Sequence, residues 1–296
     1  MRPEFQWRLR SRTIGLGGRT LLMGVLNVTP DSFSDGGLYF DRSRAVAHGL
    51  EMLAEGADIV DIGGESTRPG SQVSERATVS AEEECGRVVP VIAEIKRQAP
   101  GAVISVDTYK AQVAREAVAA GAEIVNDVSA LKWDAAMAPL VAELECGLVL
   151  MHTRGRPTEW RSLPQVGAEI VQIVTDELGE SAAAAERAGI VGDSIVLDPG
   201  FGFGKNFAEN YPLLARLDEM HRLGYPLLVG PSRKSFIGRS VSRESEPAPP
   251  EKRLYGTLAS VTAAILKGVH IVRVHDVAPA REAAAVADEI LKAEAE

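Results

Sequence analysis

Residues 194–205 read SIVLDPGFGFGK, an apolar run that ends in an acid, a proline and three alternating glycines before a lysine. The run 194–197 predicts a buried strand, and Asp198 then stands at its end. Glycines at every second position let the backbone approach a flat ligand closely. The spacing G-x-x-x-x-G-K-[ST] of a phosphate-binding P-loop is absent. The stretch therefore indicates a ligand-binding loop after a strand, and the rest of the chain repeats this arrangement.

Two more stretches share one format of helix end, glycine, acid, apolar strand and polar loop: EGADIVDIGG at 55–64 and AGAEIVNDVS at 120–129. The predicted strands are 21–28, 57–63, 103–107, 124–128, 147–151, 194–198, 227–231 and 271–275. Each is followed by a helical pattern, at 43–55, 80–98, 110–120, 135–145, 166–188, 209–222, 254–267 and 279–294. Eight consecutive units predict a single (β/α)8 TIM barrel, and an open doubly wound sheet is the alternative.

The residues before the first barrel strand predict a small extension. Residues 5–20 indicate a short β-hairpin, with Gly15, Gly17 and Gly18 as turn formers, that covers the bottom of the barrel. We therefore divide the chain into an N-terminal hairpin extension over 1–20 and a barrel over 21–296. The long polar stretches 65–79, 153–165 and 234–253 are typical of catalytic or binding loops.

Composition narrows the class of function. The chain has 296 residues, of which 45% are hydrophobic, enough for a large core, and a net charge of -9. This acidic balance argues against nucleic acid or an anionic membrane as a partner and leaves small molecules. No apolar run approaches the ~18 residues of a membrane span. The two distant cysteines, Cys85 and Cys146, and an N-terminus without a signal-peptide pattern predict a cytoplasmic protein.

The carboxyl ends of barrel strands form the active site in folds of this kind. The predicted strand ends carry Asn27, Asp61, Asp107, Asn126, Asp127, Met151, His152, Asp198, Ser232, Arg233, Lys234, Arg273, His275 and Asp276. Acids and amides thus gather on one part of the rim and cations on another, which suggests a ligand with two unlike ends. A carboxylate can accept paired hydrogen bonds from an amino-pyrimidine edge. Arg273 and His275, two residues apart on one strand, suit a phosphate-like anion.

Each of these residues also has a simpler interpretation. We interpret Asp127 and Asp276 as caps of the helices that follow them. His152 and His275 lack the H-E-x-x-H spacing of a zinc site. The prediction of a ligand site therefore rests on the agreement of all eight strand ends.

Several long motifs resemble those of the bacterial dihydropteroate synthase family. They are MGVLNVTPDSFSDGG (23–37), DIGGESTRPG (61–70), SVDTYK (105–110), NDVSA (126–130), LDPGFGFGK (197–205), GPSRKSFIG (230–238) and RVHDV (273–277). They occur in order, at barrel spacing, over about residues 21–290. The resemblance implies a transferase of the folate pathway that joins 6-hydroxymethyl-7,8-dihydropterin diphosphate to p-aminobenzoate. The products would be 7,8-dihydropteroate and pyrophosphate, and sulfonamides would compete with p-aminobenzoate.

The resemblance also implies roles for individual residues. The pterin would be bound by Asp107, Asn126, Met151, Asp198, Gly230 and Lys234. The diphosphate would be bound by Asn27, Arg273 and His275, with Asn27 also a ligand of Mg²⁺, a cation that prefers oxygen ligands. The p-aminobenzoate would contact Phe33, Thr67, Arg68, Pro69, Phe203, Lys234 and Ser235. Asp107, Lys234, Asn27, Asp35 and Arg68 would carry catalysis, and we expect Asp35 and Arg68 to meet when the first two loops close.

Three loops depart from the family pattern, at SQVSERATV, MHTRGRPTEW and RSVSRESEPAPPEKR. The alternatives are a pterin-binding methyltransferase barrel that uses a corrinoid partner, a barrel that binds pterin without catalysis, and an unrelated phosphate-binding barrel. The STRPG and SRKS loops and the complete set of strand-end residues argue against them. The resemblance further implies a homodimer, through helices such as 254–267 and 279–294.

Overall fold

The computed structural model describes residues 2–29, 37–65 and 79–294. Eight parallel strands form its central sheet. They are β3 (Leu21–Asn27), β4 (Ile59–Gly63), β5 (Val103–Asp107), β6 (Ile124–Asp127), β7 (Gly147–Met151), β8 (Ile195–Asp198), β9 (Leu228–Val229) and β10 (Ile271–Val274). Consecutive strands are neighbours, β10 lies between β3 and β9, and a bridge between Leu197 and Leu227 joins β8 to the β9 side. The predicted barrel is confirmed, and the doubly wound sheet is wrong.

Helices surround this barrel. Within the described residues they are α1 (Gly37–Glu55), α2 (Ala81–Gln98), α3 (Ala111–Ala119), α4 (Met137–Leu144), α5 (Ile170–Arg187), α6 (Asn210–Ala215), α7 (Ser235–Val241), α8 (Leu254–Leu266) and α9 (Val277–Ala293). None of these helices combines the length and the hydropathy that crossing a bilayer requires.

Two helical segments differ from the sequence prediction. The pattern at 209–222 is a short α6 followed by a 3-10 helix, Leu217–Leu223. Leu217 and Met220 are both buried there, and their spacing of three residues matches the 3-10 repeat. The stretch 234–253, predicted as a loop, contains α7, which begins at Ser235 directly after β9 and its short turn. Local periodicity missed α7 because its seven residues are too few to show a helical pattern.

A two-residue alternation along the strands separates the outer core from the barrel interior. Outward side chains pack against the helices in one large cluster. Inward side chains at the amino ends of the strands form a second apolar layer, which contains Leu21, Met23, Ile59, Val103, Ile124, Val149, Val196, Leu228 and Ile271. This layer closes the barrel at its lower end, so only the carboxyl end is open to a ligand.

The N-terminal hairpin covers that lower end, as predicted. Its strands, β1 (Phe5–Arg8) and β2 (Thr13–Leu16), are antiparallel, and Trp7, Leu9 and Leu16 are buried against the inner apolar layer. The glycine interpretation of the turn is wrong, because the turn closes through a hydrogen bond from Leu9 N to Arg12 O and Gly15 lies inside β2. The division of the chain at residue 20 stays a prediction, since hairpin and strands share one apolar cluster.

Trp7 is the largest side chain of this cover, is fully buried, and donates from Nε1 to Ser194 O at 2.9 Å. We expect Trp7→Ala to lower the free energy of unfolding by about 3–5 kcal/mol, because it leaves a large cavity and an unpaired carbonyl. Urea denaturation measures this loss. The half-buried Phe5→Ala is the matched control and should lose less. Equal losses in the two variants would mean that Trp7 does not anchor the hairpin.

Candidate active site

One cavity of about 340 Å³ lies at the carboxyl ends of the barrel strands. Eleven of the residues to which the family resemblance gives a role line it: Asn27, Asp107, Asn126, Met151, Asp198, Phe203, Gly230, Lys234, Ser235, Arg273 and His275. The structure therefore brings together the groups expected for both ends of the ligand. Five further candidates, Phe33, Asp35, Thr67, Arg68 and Pro69, lie outside the described residues.

The strand alternation explains why these side chains share one cavity. Each polar pocket residue at the end of a strand follows a residue of the inner apolar layer by two positions, or by four where a strand is longer. Ile124 precedes Asn126 in this way, Val196 precedes Asp198, and Ile271 precedes Arg273. Packing at the lower end thus fixes the direction of the polar side chains at the upper end.

A buried network joins four strands, β4, β5, β6 and β10, at the centre of the site. Asp61 is fully buried, and its Oδ2 accepts hydrogen bonds from Arg273 Nε at 2.6 Å and from Asn126 Nδ2 at 3.0 Å. Arg273 Nη2 also donates to Asp107 Oδ2 at 2.7 Å. Burial alone would lower the pKa of Arg273, but the two carboxylates outweigh it and raise that pKa. Arg273 therefore pairs with two carboxylates of the protein, whereas the sequence pattern predicted a phosphate-like group of the ligand as its partner.

Two of the carboxylates that line the cavity, Asp107 and Asp198, have raised pKa values. Desolvation is the main cause for Asp107 and raises its pKa to about 7, against the attraction of Arg273 and with the repulsion of Asp61. Desolvation also raises the pKa of Asp198 to about 6, against a hydrogen bond from Gly200 N at 2.7 Å. A ligand that offers N–H donors would stabilise the charged forms of both acids. The pocket is therefore prepared for a ring with several donors.

An aromatic and cationic surface forms the outer part of the cavity. Lys234 Nζ lies 3.9 Å from the centre of the Phe203 ring. Trp160 meets the same ring edge-on, with centroids 5.4 Å apart. Lys234 precedes the first turn of α7, so Ser235 is the first residue of that helix. These groups could enclose a small aromatic ring between an apolar face and a charged side chain.

Contacts beside the cavity hold the cationic strand ends in place. His275 Nδ1 lies 3.0 Å from Ser232 Oγ, which orients the imidazole. Arg233 has a positive φ of 56° and forms an ion pair with Asp276 at 2.5 Å. Arg253 Nη1 donates to Arg233 O at 2.7 Å and supports this unusual backbone.

The cap interpretation of two acids needs correction. Asp276 stands at the start of α9 without a capping hydrogen bond from its side chain, because Arg233 binds its carboxylate instead. Asp127 accepts from Ser129 N and Leu131 N at 2.8 and 2.9 Å, so it closes the turn after β6 and does not cap α4. Both acids stabilise the loops of the mouth.

Two residues have a larger place in the site than the sequence indicated. Asp61 was one strand end among many, yet it bonds both Arg273 and Asn126. Lys205 closes the glycine loop and is buried beside His152, with 2.9 Å between Nζ and Nδ1. One signal in the sequence could have identified both residues: each is a charged residue in a mostly apolar stretch. Charged side chains are rarely buried unless they are paired, so such a position indicates a buried ion pair or hydrogen bond.

The raised pKa of Asp198 makes a prediction about stability. An acid whose folded pKa lies above its unfolded value of 3.8 destabilises the fold above both values, and this penalty disappears as the pH falls. We expect Asp198→Asn to be more stable than the parent protein at pH 8, and this advantage to shrink by roughly 1 kcal/mol at pH 5. Urea unfolding of both proteins across this range measures the difference. An advantage that is constant or larger at pH 5 would contradict the prediction.

Comparison with known proteins agrees with this architecture. Residues 23–275 match the family model described as pterin binding enzyme. The chain is 46% identical over 273 residues to the dihydropteroate synthase of Bacillus subtilis (strain 168), covering 92% of this chain and 89% of that protein.

Two solved structures of the Xanthomonas albilineans dihydropteroate synthase share the fold. The one with 4-aminobenzoic acid has a TM-score of 0.87 and 43% identity, over 98% of this chain and 99% of that one. The one in complex with 7,8-dihydropteroate has a TM-score of 0.83 and 41% identity, over 96% and 98%. The chain therefore belongs to the dihydropteroate synthase family of pterin-binding enzymes, which transfer a pterinylmethyl group.

Proposed function

We propose that the barrel mouth condenses 6-hydroxymethyl-7,8-dihydropterin diphosphate with p-aminobenzoate, giving 7,8-dihydropteroate and pyrophosphate for folate synthesis. The observation that carries the proposal is a single cavity with raised-pKa acids inside and cations and aromatic rings towards its outer part. The relatives solved with 4-aminobenzoic acid and with 7,8-dihydropteroate support the same two-part ligand.

The inner part of the cavity would hold the pterin. Asp198 and Asp107 would accept from the ring N–H and amino groups, and Asn126 can both donate and accept. Lys234 would meet the ring carbonyl, while Met151 and Gly230 form part of the wall. A pocket with buried acceptors of this kind discriminates strongly against rings that lack the matching donors.

The diphosphate would lie towards Asn27, Arg273 and His275. Asn27 ends β3 in the cavity wall, and its amide has no hydrogen-bond partner among the described residues. A free amide oxygen beside a diphosphate fits Mg²⁺, which takes oxygen ligands and substrate phosphates. When bound, the ion would neutralise charge on the leaving pyrophosphate. Arg273 and His275 would bind the phosphate oxygens themselves.

The bond to be broken joins the pterin methylene to the diphosphate. A cation stabilised by the pterin ring favours a dissociative displacement, in which the diphosphate leaves before the arylamine has bonded. Asp107 would stabilise the positive charge that develops on the pterin. The arylamine nitrogen then attacks the methylene carbon and loses a proton, and no strong base is required.

This role of Asp107 predicts a particular pattern in Asp107→Asn. Turnover should fall by about 100-fold, because a neutral amide cannot stabilise the developing cation, whereas the pterin dissociation constant should change much less. Steady-state kinetics and calorimetric titration measure the two quantities. Ser105→Ala, one inward position lower on β5, is the matched control and should behave like the parent. Equal losses in turnover and pterin binding would contradict an electrostatic role.

The p-aminobenzoate would occupy the outer surface formed by Phe203 and Lys234. Ser235, at the start of α7, would offer its hydroxyl to the carboxylate. Phe33, Thr67, Arg68 and Pro69 would complete this pocket by family resemblance, and Asp35 would meet Arg68 on closure. Sulfonamides have the same arylamine and a comparable acidic group, so we expect them to compete there.

The quaternary structure and location are also proposals. Tyr255 on α8 is 84% exposed, and Val286 on α9 is 63% exposed. These helices are packed side by side, and their exposed apolar residues support a homodimer through this face. A monomeric mass in analytical ultracentrifugation at micromolar concentration would contradict it. We further propose that the protein works in the cytoplasm.

The decisive experiment mixes purified protein with the pterin diphosphate and Mg²⁺, with and without p-aminobenzoate. We expect pyrophosphate release matched by dihydropteroate only when both substrates are present. Pterin binding without product would favour the methyltransferase-like or non-catalytic barrel. Absence of pterin binding would remove the basis of the proposal.

A further inference from the structure

Lys205 is a buried cation that the proposed reaction does not use. Its side chain lies inside the loop that follows β8 and is 7% exposed. Nζ donates to Gly200 O at 2.8 Å and to Phe203 O at 3.1 Å. It also lies 2.9 Å from His152 Nδ1 and 3.3 Å from His152 O. One ammonium group therefore joins both ends of the glycine loop to the end of β7.

The glycine loop is wrapped around this ammonium. Gly200 and Gly204 have positive φ angles of 66° and 65°. A Cβ at Gly200 would lie 2.0 Å from His152 O, and one at Gly204 would lie 2.5 Å from Arg154 O. The loop thus presses against the segment after β7 so closely that only glycine fits. Its carbonyls at 200 and 203 turn inward. Gly200 O also accepts from Phe203 N at 3.2 Å and Phe203 O from Arg154 N at 3.5 Å, and Lys205 supplies the closer donor to each.

The loop held by Lys205 carries groups of both proposed substrate pockets. Phe203, whose carbonyl Lys205 binds, presents its ring to Lys234 Nζ at 3.9 Å and to Trp160. Gly200, whose carbonyl Lys205 also binds, donates its N–H to Asp198. Asp198 remains anchored on β8 without the loop, whereas Phe203 has no strand to hold it. Loss of Lys205 should therefore disturb the outer pocket more than the inner one.

We propose that Lys205 is a positioning residue that sets the Phe203 ring for the arylamine substrate. The inference rests on the proposed function, because it assigns the outer pocket to p-aminobenzoate. Lys205 does not touch either substrate in this assignment. It acts through the backbone of residues 200–203 and through the segment at His152.

The charge of Lys205 is part of this arrangement. Burial lowers the pKa of Lys205 to about 7; Asp198 and Glu177 oppose this, and Lys234 and Arg154 add to it. Burial likewise lowers the pKa of His152 to about 3, so its ring stays neutral and Nδ1 can accept from the ammonium. A neutral amine has two donor hydrogens in place of three for the surrounding acceptors. We expect the loop to loosen as the pH rises through about 7.

The test compares Lys205→Met with Lys96→Met as the matched control. Lys96 Nζ also binds two backbone carbonyls, Pro100 O and Ala102 O, but it lies at the other end of the barrel. We expect Lys205→Met to raise the KM for p-aminobenzoate between about tenfold and 100-fold. The KM for the pterin diphosphate and kcat should stay within about threefold, as for a loss of binding at one substrate only.

The pH profile separates positioning from general damage to the fold. In the parent and in Lys96→Met, the KM for p-aminobenzoate above about pH 7 should be higher than the same protein's KM at pH 6. In Lys205→Met the KM should not rise over this range. Lys205→Gln keeps two donor hydrogens without a charge, so its KM should be intermediate and flat with pH. A parent-like KM, or equal increases for both substrates, would overturn the proposal.

Hydrogen exchange of amides 200–204 gives a readout that does not need activity. After correction for intrinsic rates, exchange in the parent should accelerate above about pH 7 more than in the rest of the mouth. If the parent makes no product, the proposed function fails while this measurement still tests the hold of Lys205 on the loop. If the exchange rates of amides 200–204 change neither with pH nor in Lys205→Gln, the inference is overturned, even if Lys205→Met does not fold.

Discussion

The two-residue alternation of the inward-facing strand residues is the constraint on which the rest of this structure depends. A closed barrel has one interior, and each strand contributes to it at every second residue. Here the lower positions are apolar and the next positions carry acids, amides and cations. Because the residues of the lower layer are buried and packed together, the register of each strand is fixed, and the upper side chains converge on one cavity. A shift of any strand by one residue would turn its polar side chain into the outer core.

The electrostatics of the mouth follow from that convergence. Asp61, Asp107 and Asp198 all interact electrostatically with Arg273, which pairs directly with the first two. Burial desolvates Asp107 and Asp198. Such a site is unfavourable on its own, because desolvation opposes each charge. A ligand with donors at one end and an anion at the other would relieve both kinds of imbalance. The free energy lost in assembling the empty site is thus available as binding energy for the correct substrate.

Most of the fold and much of the site could be predicted from the sequence. All eight barrel strands were placed correctly because buried parallel strands are continuous apolar runs between glycine-rich turns. Strand ends such as Asp107 and Asn126 were recognisable because a barrel puts its chemistry there. Contacts between distant segments could not be predicted: nothing local shows that Asp276 binds Arg233 or that Asp61 bonds Asn126. The hairpin turn between Leu9 and Arg12 is local, but residues 9–12 contain no glycine, so the sequence favours the glycines further along as the turn. The seven-residue α7 was missed because its hydrophobic pattern covers fewer than two helical turns.

The hairpin beneath the barrel has a consequence for the order in which the molecule can be assembled. Residues at the start of the chain find their partners near its end: Arg2 forms an ion pair with Asp288, and His270 Nε2 lies 2.9 Å from Pro3 O. During ribosomal synthesis the apolar Trp7 and Leu9 therefore remain without their binding surface until the last strand has emerged. Contacts between residues so far apart in sequence slow folding and prolong the exposure of aggregation-prone apolar segments. The hairpin of residues 5–16 can therefore pack beneath the barrel only after β10 has been synthesised, although it is made before every barrel strand.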